Sequence, residues 1–564
     1  MTQGRFIYRV NDVVIATLVP LTFIAVTPWN NLDGTNQIKF LFLVAFGSIA
    51  FALTLFSLVK RIALRGIDSF NFLALTSIFL VLVSLLVNRN SLDERLFGIY
   101  GRSLGAITFI SLFFIMIAAS LFSRDKLNFL NINVLLSLFA VASYFAIQRA
   151  GLDPASWEDP YGAIPSSTLG NPNYVSSSLA ILSAPIFVLL FYKTRLIHLI
   201  RLGFVPLIAI IGFLILETES IQGFLIIVFM FIFVLLMRIN DLLSNRFNGL
   251  IKAITTAVIV AIPLVTLLVA LGYSPQIGGA TVIARTDYWR ASWTLLLENP
   301  LFGKGFDTFG DWYFFYRDQL AVDRSPGLFS DSAHNLFLEM GVFGGFPLLI
   351  CYLLLQGIVL QSALRIVSQN GNLQLKALVV AWIGFTLQSA ISPSSLALMT
   401  LGFVLMGIIY GAGKDITGKE SSKAKGEYKK SRELTIEVTG RLVLSSFALS
   451  IAGAGIYLGF APIAKDARFR DAIEQGNGGR MIEVSRQWPF VYQISRLTAM
   501  TLKENSFDDL AIEIVRELID RNPNNIQGWR MLFDYSTTTA ERATALAKMR
   551  ELDPLNPELA KLTP

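Results

Sequence analysis

The stretch IQGFLIIVFMFIFVLLM at residues 221–237 contains no charged side chain. It is long enough to cross the hydrocarbon core of a bilayer as an α-helix, which takes about 17–25 apolar residues. The sequence therefore predicts an all-α polytopic membrane protein with about twelve core transmembrane helices and a thirteenth that leads to a small soluble helical-repeat domain. The other apolar stretches begin near Val13, Phe40, Phe70, Leu104, Phe129, Tyr174, Leu199, Ile251, Leu336, Leu375, Leu396 and Leu442.

Composition agrees with this prediction, since 54% of the 564 residues are hydrophobic and only 15% are charged. Soluble globular domains carry about 25% charged residues. The net charge of +7 comes from Lys and Arg in short loops, where they set membrane topology, so nucleic-acid binding is not expected. With one cysteine and two histidines, the chain can form no internal disulfide and no Cys-based or His-rich metal cluster. No metal or other cofactor is expected.

The distribution of basic residues predicts the orientation, because cytoplasmic loops carry an excess of Lys and Arg. It places the N-terminus in the cytoplasm and the C-terminal domain on the opposite face. Residues 88–102 are an exception, because this predicted outside loop carries Arg89, Arg95 and Arg102.

Four segments are predicted. Residues 1–413 form the membrane core, with a long extracytoplasmic loop at 272–333; residues 414–441 form a basic cytoplasmic linker; residues 442–460 form a transmembrane helix. Residues 461–564 form an extracytoplasmic helical domain in which Pro489, Pro523 and Pro554 follow amphipathic runs. The distance from Pro489 to Pro523 matches a tetratricopeptide unit of about 34 residues. Such repeats usually bind a partner chain.

The loop at 272–333 is too long to be a simple connection, and loops of that length are usually functional. This loop and the helix after it carry a recognisable pattern, which consists of Arg285, Trp289, NPLFGKG at 299–305, Phe309, DSAHN at 331–335, Glu339, Gly341 and Gly344. The pattern resembles the O-antigen ligase/polymerase family. The segments YGRSLG at 100–105 and STLGNPNYVSSSLAI at 167–181 also resemble family elements, so that the resemblance covers about residues 10–413.

The resemblance implies a bacterial inner-membrane enzyme that transfers glycans from an undecaprenyl-pyrophosphate carrier during polysaccharide biosynthesis for the cell envelope. O-antigen ligation onto a lipid core is the first expectation. Polymerisation of repeat units and transfer onto a protein hydroxyl remain alternatives, so the acceptor is a lipid, a glycan or a protein. A lipid-linked glycan flippase is an alternative of another class, which predicts charges near the bilayer midplane.

His334 is the candidate general base, because it is the only histidine on the predicted outside face and precedes an apolar helix. The positive end of a helix disfavours imidazolium, and the neutral form can accept a proton. The alternative is a surface or capping histidine, with Ser330, Asp331 and Ser332 as further cap candidates.

Arg285 and Arg102 are candidates for binding the donor pyrophosphate, since a guanidinium binds phosphate oxygens in fork geometry. The sequence contains no D-x-D pair that could hold a metal for this purpose. Catalysis without a metal ion is therefore expected. Arg290, Arg317 and Arg324 are expected to be solvated or to face lipid.

Six further polar residues, Asp331 among them, are candidates for supporting the site or binding substrate. Asn335 and Glu339 lie four positions apart on one helix, and a carboxylate inside a membrane helix is functional or paired with an internal Arg. Asn171 and Asn173 flank Pro172 at an outer helix end and could bind sugar hydroxyls or form a turn. Gln222 stands where many family members carry Arg, so a second phosphate-binding Arg is absent there or supplied elsewhere.

Overall fold

The computed structural model describes residues 3–88, 91–155, 164–192, 202–243, 246–270, 280–368, 372–424 and 438–564. Within these ranges all regular secondary structure is helical and no β-strand is present, which confirms the predicted all-α class. Four features of the sequence analysis lie outside the described residues: Arg89, the helix start near Leu199, positions 272–279 of the long loop and positions 425–437 of the linker.

The α-helices up to the long loop are α1 (Gln3–Ile24), α2 (Asn36–Arg65), α3 (Ser69–Val87), α4 (Leu92–Phe97), α5 (Ala106–Ala119), α6 (Leu127–Arg149), α7 (Pro172–Leu182), α8 (Ala184–Phe191), α9 (Phe204–Glu217), α10 (Ile221–Leu242) and α11 (Asn248–Ala270). From the loop onward they are α12 (Ala280–Glu298), α13 (Phe309–Tyr316), α14 (Gln319–Arg324), α15 (Leu336–Val367), α16 (Leu373–Ser389), α17 (Leu396–Ala424), α18 (Val438–Glu474), α19 (Gly478–Arg486), α20 (Tyr492–Glu504), α21 (Asp508–Arg521), α22 (Ile526–Tyr535), α23 (Thr539–Leu552) and α24 (Pro557–Lys561).

Eight helical segments in the described part of the chain are long and apolar enough to cross a membrane. They lie at Asn36–Lys60, Ser69–Val87, Arg124–Arg149, Pro172–Phe191, Ile221–Leu242, Leu336–Val367, Leu396–Ile416 and Gly440–Glu474. Three shorter apolar helices, Ala106–Ala119, Phe204–Glu217 and Leu373–Ser389, accompany them. The chain is thus a multi-pass membrane protein, while the count of twelve helices plus a thirteenth stays a prediction.

The basic residues of the exceptional loop at 88–102 are explained by internal pairing. Arg95 is 5% exposed and donates a hydrogen bond to the carbonyl of Leu85. Arg102 is surrounded by carboxylates. Charges that are paired inside the protein do not report on which side of the bilayer a loop lies, whereas exposed loop charges do. The rule that cytoplasmic loops carry an excess of Lys and Arg therefore does not apply to Arg95 and Arg102.

Helix α15 is broken at Gly344 and Gly345, and the motif at 299–305 fills the break. Gly345 has a φ of 71°. The break leaves backbone groups of the helix without helical partners, and the loop supplies them, because Lys304 N donates to Val342 O and Phe346 N donates to Pro300 O, both at 2.7 Å. Gly344 and Gly345 thus form the seat of this loop.

Helix α18 is continuous from Val438 to Glu474, so the predicted change from membrane helix to soluble domain at 461 falls inside a helix. At about 1.5 Å per residue, its 37 residues exceed the roughly 30 Å hydrocarbon core. The linker boundary at 414 also falls inside a helix, since α17 runs to Ala424. Gly455 and Gly459 let α18 approach α2 closely, because a Cβ at either would meet Ser48 or Leu41.

Helices α19 to α24 follow α18 and each packs against the next in chain order. Asn477, Asn525, Thr538 and Asn556 cap the N-termini of four of them with side-chain hydrogen bonds. The three prolines of the predicted repeat lie in connections between helices. These helices are called the C-terminal unit below; their assignment to the tetratricopeptide class stays a prediction.

The C-terminal unit is attached to the loops of the membrane core by buried polar contacts. Arg317 is 0% exposed and donates to both carboxylate oxygens of Asp553, at 2.7 and 2.9 Å. Asp93 accepts hydrogen bonds from Trp488 Nε1 at 3.1 Å and from Phe490 N at 2.8 Å. These contacts join α13 and α4 to two separate parts of the unit and so determine its orientation on the core.

Gly303 offers a test of the loop seated in the α15 break. Its φ is 60°, and a Cβ there would lie 2.1 Å from Val342 O. We expect Gly303→Ala to destabilise the fold by about 1–3 kcal/mol through backbone strain and steric overlap. The measurement is the thermal unfolding midpoint of the detergent-purified protein. Gly327→Ala is the matched control, because a Cβ at Gly327 meets nothing within 4 Å. Equal midpoints for the two variants would contradict this account.

Candidate active site

Arg102 is the centre of a largely buried charge network at the end of the helices that carries the long loop. Its guanidinium lies 3.4 Å from Asp307 Oδ1, 3.3 Å from Asp331 Oδ1 and 3.3 Å from Glu339 Oε1. It also donates to the backbone carbonyl of Asp331. The Arg102 side chain is 10% exposed. One cation thereby joins the segment before α5, the loop before α13 and the start of α15.

Asp307 was not among the residues predicted from the sequence. Its carboxylate also accepts hydrogen bonds from Ile99 N at 2.8 Å and Leu104 N at 3.3 Å, and so holds the turn that carries Arg102. Burial raises the pKa of Asp307 to about 6, although the charge of Arg102 lowers it. The carboxylate stays ionised at neutral pH because the cation lies beside it.

Glu339 has the internal Arg partner that the sequence analysis offered as one of two readings. Its side chain is 1% exposed, and it accepts hydrogen bonds from Ser332 Oγ at 2.5 Å and Ser394 Oγ at 2.8 Å. These bonds compensate for burial of the charge. Ser332 Oγ in turn accepts from His334 N at 3.0 Å. Glu339 therefore positions the loop that carries His334, and neither serine was predicted as a site residue.

His334 is held in the tautomer that a general base requires. Its Nδ1 lies 3.1 Å from the carbonyl oxygen of Ser332. A carbonyl can only accept, so Nδ1 carries the proton and Nε2 keeps its lone pair. The ring packs against Tyr288 at a centroid distance of 5.1 Å, and its backbone has a φ of 53°, which is uncommon for residues other than glycine.

The electrostatic surroundings keep His334 neutral. Burial lowers the pKa of His334, and the positive charges of Arg285 and Arg102 lower it further, against the opposing effects of the Ser332 hydrogen bond and Asp331. The sequence analysis attributed this effect to the helix start. In the structure Asn335 is the N-cap of α15, and His334 stands one position before it.

Arg285 differs from Arg102 in having no carboxylate partner. Among the residues that the structure describes, no hydrogen bond or salt bridge to its guanidinium is present. It lies on α12 one turn before Tyr288, the residue that contacts the His334 ring. Burial lowers the pKa of Arg285, but a guanidinium remains charged at neutral pH. The site thus combines a neutral imidazole with a half-buried cation available to an anionic group.

The other arginines of the loop are engaged in ion pairs. Arg290 and Arg317 are buried, so the expectation that they are solvated or face lipid is wrong for these two, whereas Arg324 is exposed. Arg290 pairs with Asp287 at 2.5 Å and Asp318 at 2.6 Å. Arg324 also pairs with Asp287, at 2.6 Å. Together with Arg317 they build a charged scaffold around α12, α13 and α14, because the loop folds into a subdomain.

The side chain of Asn335 makes hydrogen bonds to backbone groups that stabilise the fold. Its Oδ1 accepts from Phe337 N and Leu338 N, and its Nδ2 donates to Ala390 O at 2.8 Å. It is 0% exposed. These bonds connect the start of α15 to the end of α16, so we reinterpret Asn335 as a framework residue of the site, although it was predicted to support catalysis or bind substrate.

The predicted amide residues near α7 and α10 also bond to protein groups. Asn171 caps α7 and accepts from Asn173 N at 2.8 Å, and Asn173 Oδ1 accepts from Ser220 Oγ at 2.8 Å. Gln222 Nε2 lies 3.2 Å from Asn173 O and 3.3 Å from Ser392 Oγ. The side-chain oxygen of Gln222 is buried and has no hydrogen-bond partner among the described residues. This group borders the site and leaves one acceptor unpaired.

In the described part of the chain, no three His, Cys, Asp or Glu side chains are grouped so as to hold a metal ion. The carboxylates of Asp307, Asp331 and Glu339 converge on the Arg102 guanidinium instead.

Comparison with known families adds one match. A family model described as "O-Antigen ligase" matches residues 175–353, which is less than half of the chain. The matched segment includes Gln222, Arg285, Asp331, His334, Asn335 and Glu339, whereas Arg102, Asn171 and Asn173 precede it. No curated protein matches the chain. Residues 175–353 are therefore similar to O-antigen ligases over the segment that holds both His334 and Arg285.

The two arginines should differ in their effect on stability. Arg102→Gln leaves three carboxylates without their cation, and breaking such a buried network costs about 3–5 kcal/mol. Arg285→Gln removes a cation without an ion pair, so its cost should be much smaller. Thermal unfolding midpoints in detergent measure both, and adding Glu339→Gln should partly restore Arg102→Gln. Equal destabilisation by both Arg variants would contradict the geometry.

The pKa of His334 can be measured directly because the chain has only two histidines. In a His198→Gln background, NMR of ¹³C-labelled histidine should give a pKa below the ordinary value of about 6.5. Arg285→Gln should raise that pKa, since it removes a nearby positive charge. Arg324→Gln is the matched control, because Arg324 pairs with Asp287. An unchanged or lower pKa in Arg285→Gln would rule out electrostatic coupling.

Proposed function

We propose that this protein is a membrane glycosyltransferase of the O-antigen ligase type, which transfers a glycan from undecaprenyl pyrophosphate to an acceptor hydroxyl on the extracytoplasmic face. The observation that carries the proposal is the presence of a neutral His334, with Nε2 unprotonated, together with Arg285, which has no ion-pair partner among the described residues, inside the segment that matches the O-antigen ligase model.

In the proposed reaction, His334 Nε2 accepts the proton of the acceptor hydroxyl while that oxygen forms a bond to the anomeric carbon of the donor. The bond between the anomeric carbon and the phosphate oxygen breaks, and undecaprenyl pyrophosphate leaves with the electron pair. Arg285 stabilises the charge that develops on the leaving group. The imidazolium formed on His334 loses its proton to solvent before the next turnover.

Arg102 has a different role in this proposal from the pyrophosphate contact expected from the sequence. Its guanidinium already faces three carboxylates, so a further anion would compete with them. We assign it the role of a positioning residue that holds Glu339 and the loop carrying His334. With Arg285 as the donor's cationic partner, the mechanism needs no metal ion.

A reconstituted transfer assay tests this proposal with an undecaprenyl-pyrophosphate-linked glycan as donor. We expect His334→Ala to lower the transfer rate by about 10²–10⁴-fold, which is the usual contribution of a general base. Arg285→Ala should also lower it strongly, whereas Arg324→Ala, a matched surface arginine, should have little effect. A chelator should leave the wild-type rate unchanged.

The outcome decides between separate parts of the proposal. Full activity in His334→Ala would eliminate the base, and loss of activity on chelation would eliminate the metal-free mechanism. Supplying lipid, glycan and protein acceptors in separate reactions distinguishes ligation, polymerisation and protein glycosylation. Movement of the donor across the membrane without glycan transfer would favour the flippase.

A further inference from the structure

A cavity of about 170 Å³ lies between the loops of the membrane core and the C-terminal unit. A single water needs only about 15 Å³ of such space, so the cavity can hold a larger molecule. One wall comes from α4, the turn after it and α13. The opposite wall comes from residues 490–493 and 525–527 of the C-terminal unit. A ligand there would contact both parts of the chain.

The groups that line this cavity match the chemistry of a saccharide. Aromatic rings are present at Tyr100, Phe490 and Tyr492, and amide side chains at Gln493 and Gln527. Sugar rings place apolar C–H faces on aromatic rings, and their hydroxyls exchange hydrogen bonds with amides and carboxylates. Tyr492 contributes to the cavity wall, while its hydroxyl oxygen is buried.

The charge of the cavity lining distinguishes between the donor pyrophosphate and an uncharged sugar as possible ligands. Glu94, Asp307, Asp311 and Asp331 line it, and no Lys or Arg does so among the described residues. Arg102 balances part of this negative charge, and burial raises the pKa of Glu94, but the acidic lining still favours an uncharged sugar, which finds hydrogen-bond acceptors here, over an anionic pyrophosphate. The cation available to a phosphate is Arg285, which is not part of this lining. The cavity therefore suits a different part of the substrates from the donor pyrophosphate.

The cavity is connected to the catalytic loop through shared residues. Asp307 and Asp331 line it and also contact Arg102, and Asp331 stands three positions before His334. The far wall is held in place by Asn522, whose Nδ2 donates to Glu94 Oε2 at 2.7 Å and Asp311 Oδ2 at 3.0 Å. Asn525 Nδ2 donates to Asp311 Oδ1 at 3.2 Å. Hydrogen bonds therefore link the far wall to the part of the membrane core that carries the site.

From this arrangement we infer that the cavity binds an uncharged sugar residue of the acceptor, so that the C-terminal unit forms half of the acceptor site. The inference rests on the proposed function, because it assumes that the protein transfers a glycan to an acceptor. It assigns the C-terminal helices a direct part in substrate recognition, in addition to any partner chain that they bind.

Saturation-transfer NMR on the full chain in lipid nanodiscs tests the inference, with free glucose, galactose and N-acetylglucosamine as probes. At least one sugar should bind the wild type. Gln493→Ala removes an amide group from the cavity lining. Gln527→Trp places a bulky ring at the rim of the cavity, where Gln527 is exposed. Each variant should weaken sugar binding about ten-fold. Gln475→Ala and Gln475→Trp are the matched controls, because Gln475 is exposed and lies outside the cavity lining.

Further arms separate the possible failures. His334→Ala should retain sugar binding, and inorganic pyrophosphate should not displace the sugar. Absence of binding to wild type, or wild-type binding in Gln527→Trp, would overturn the inference. Displacement by an undecaprenyl-pyrophosphate-linked disaccharide would assign the cavity to the donor glycan and overturn its assignment to the acceptor. Full transfer activity in His334→Ala with normal sugar binding would refute only the proposed mechanism.

Discussion

The pairing of one arginine with three carboxylates, two of them fully buried, is the interaction on which the loop-bearing end of this protein depends. Arg102 contacts Asp307, Asp331 and Glu339, all of which lie far from it in the sequence. Burial of any one of these charges alone would be costly, and together they compensate one another. The loop that carries His334 is attached to this network through Ser332. The position of the candidate base therefore depends on ion pairs that take no part in the proposed reaction.

The same region also determines where the C-terminal unit lies. Asp93 and Glu94 on α4 and Asp311 on α13 all accept hydrogen bonds from that unit. Arg317 adds a fully buried ion pair with Asp553. The acidic and basic side chains of the outer loops are thus divided between organising the candidate active site and binding the helical extension, which brings the two parts together around one cavity.

Much of the fold and part of the site followed from the sequence. Long apolar runs predict helices with little ambiguity in a bilayer, because the backbone has no other way to satisfy its hydrogen bonds there. His334 and Arg285 could be selected because they stand in a recognisable loop pattern. The Arg317 ion pair could not be predicted, since its partner Asp553 is 236 positions away and nothing local marks either residue as buried.

The missed residues of the site have a common reason. Asp307, Ser332 and Ser394 belong to residue types that are frequent in any loop, and their importance arises only from convergence on Arg102 and Glu339. One signal was present, namely that a basic loop predicted on the outside face needs an internal partner for its arginines. Conversely, Asn335 was predicted to support the site or bind substrate, and Asn171 either to bind sugar or to form a turn and N-cap; the sequence does not separate these roles because helix N-caps use the same side chains.

The course of α18 places a helix of membrane-spanning length and one wall of the cavity on a continuous stretch of chain. This helix packs against α2 and continues into the C-terminal unit, with Pro462 inside it. A transmembrane helix responds to a change in hydrocarbon thickness by tilting. A tilt of α18 would therefore move the C-terminal wall of the cavity relative to the wall on the Arg102 side, except for what the backbone at Pro462 absorbs.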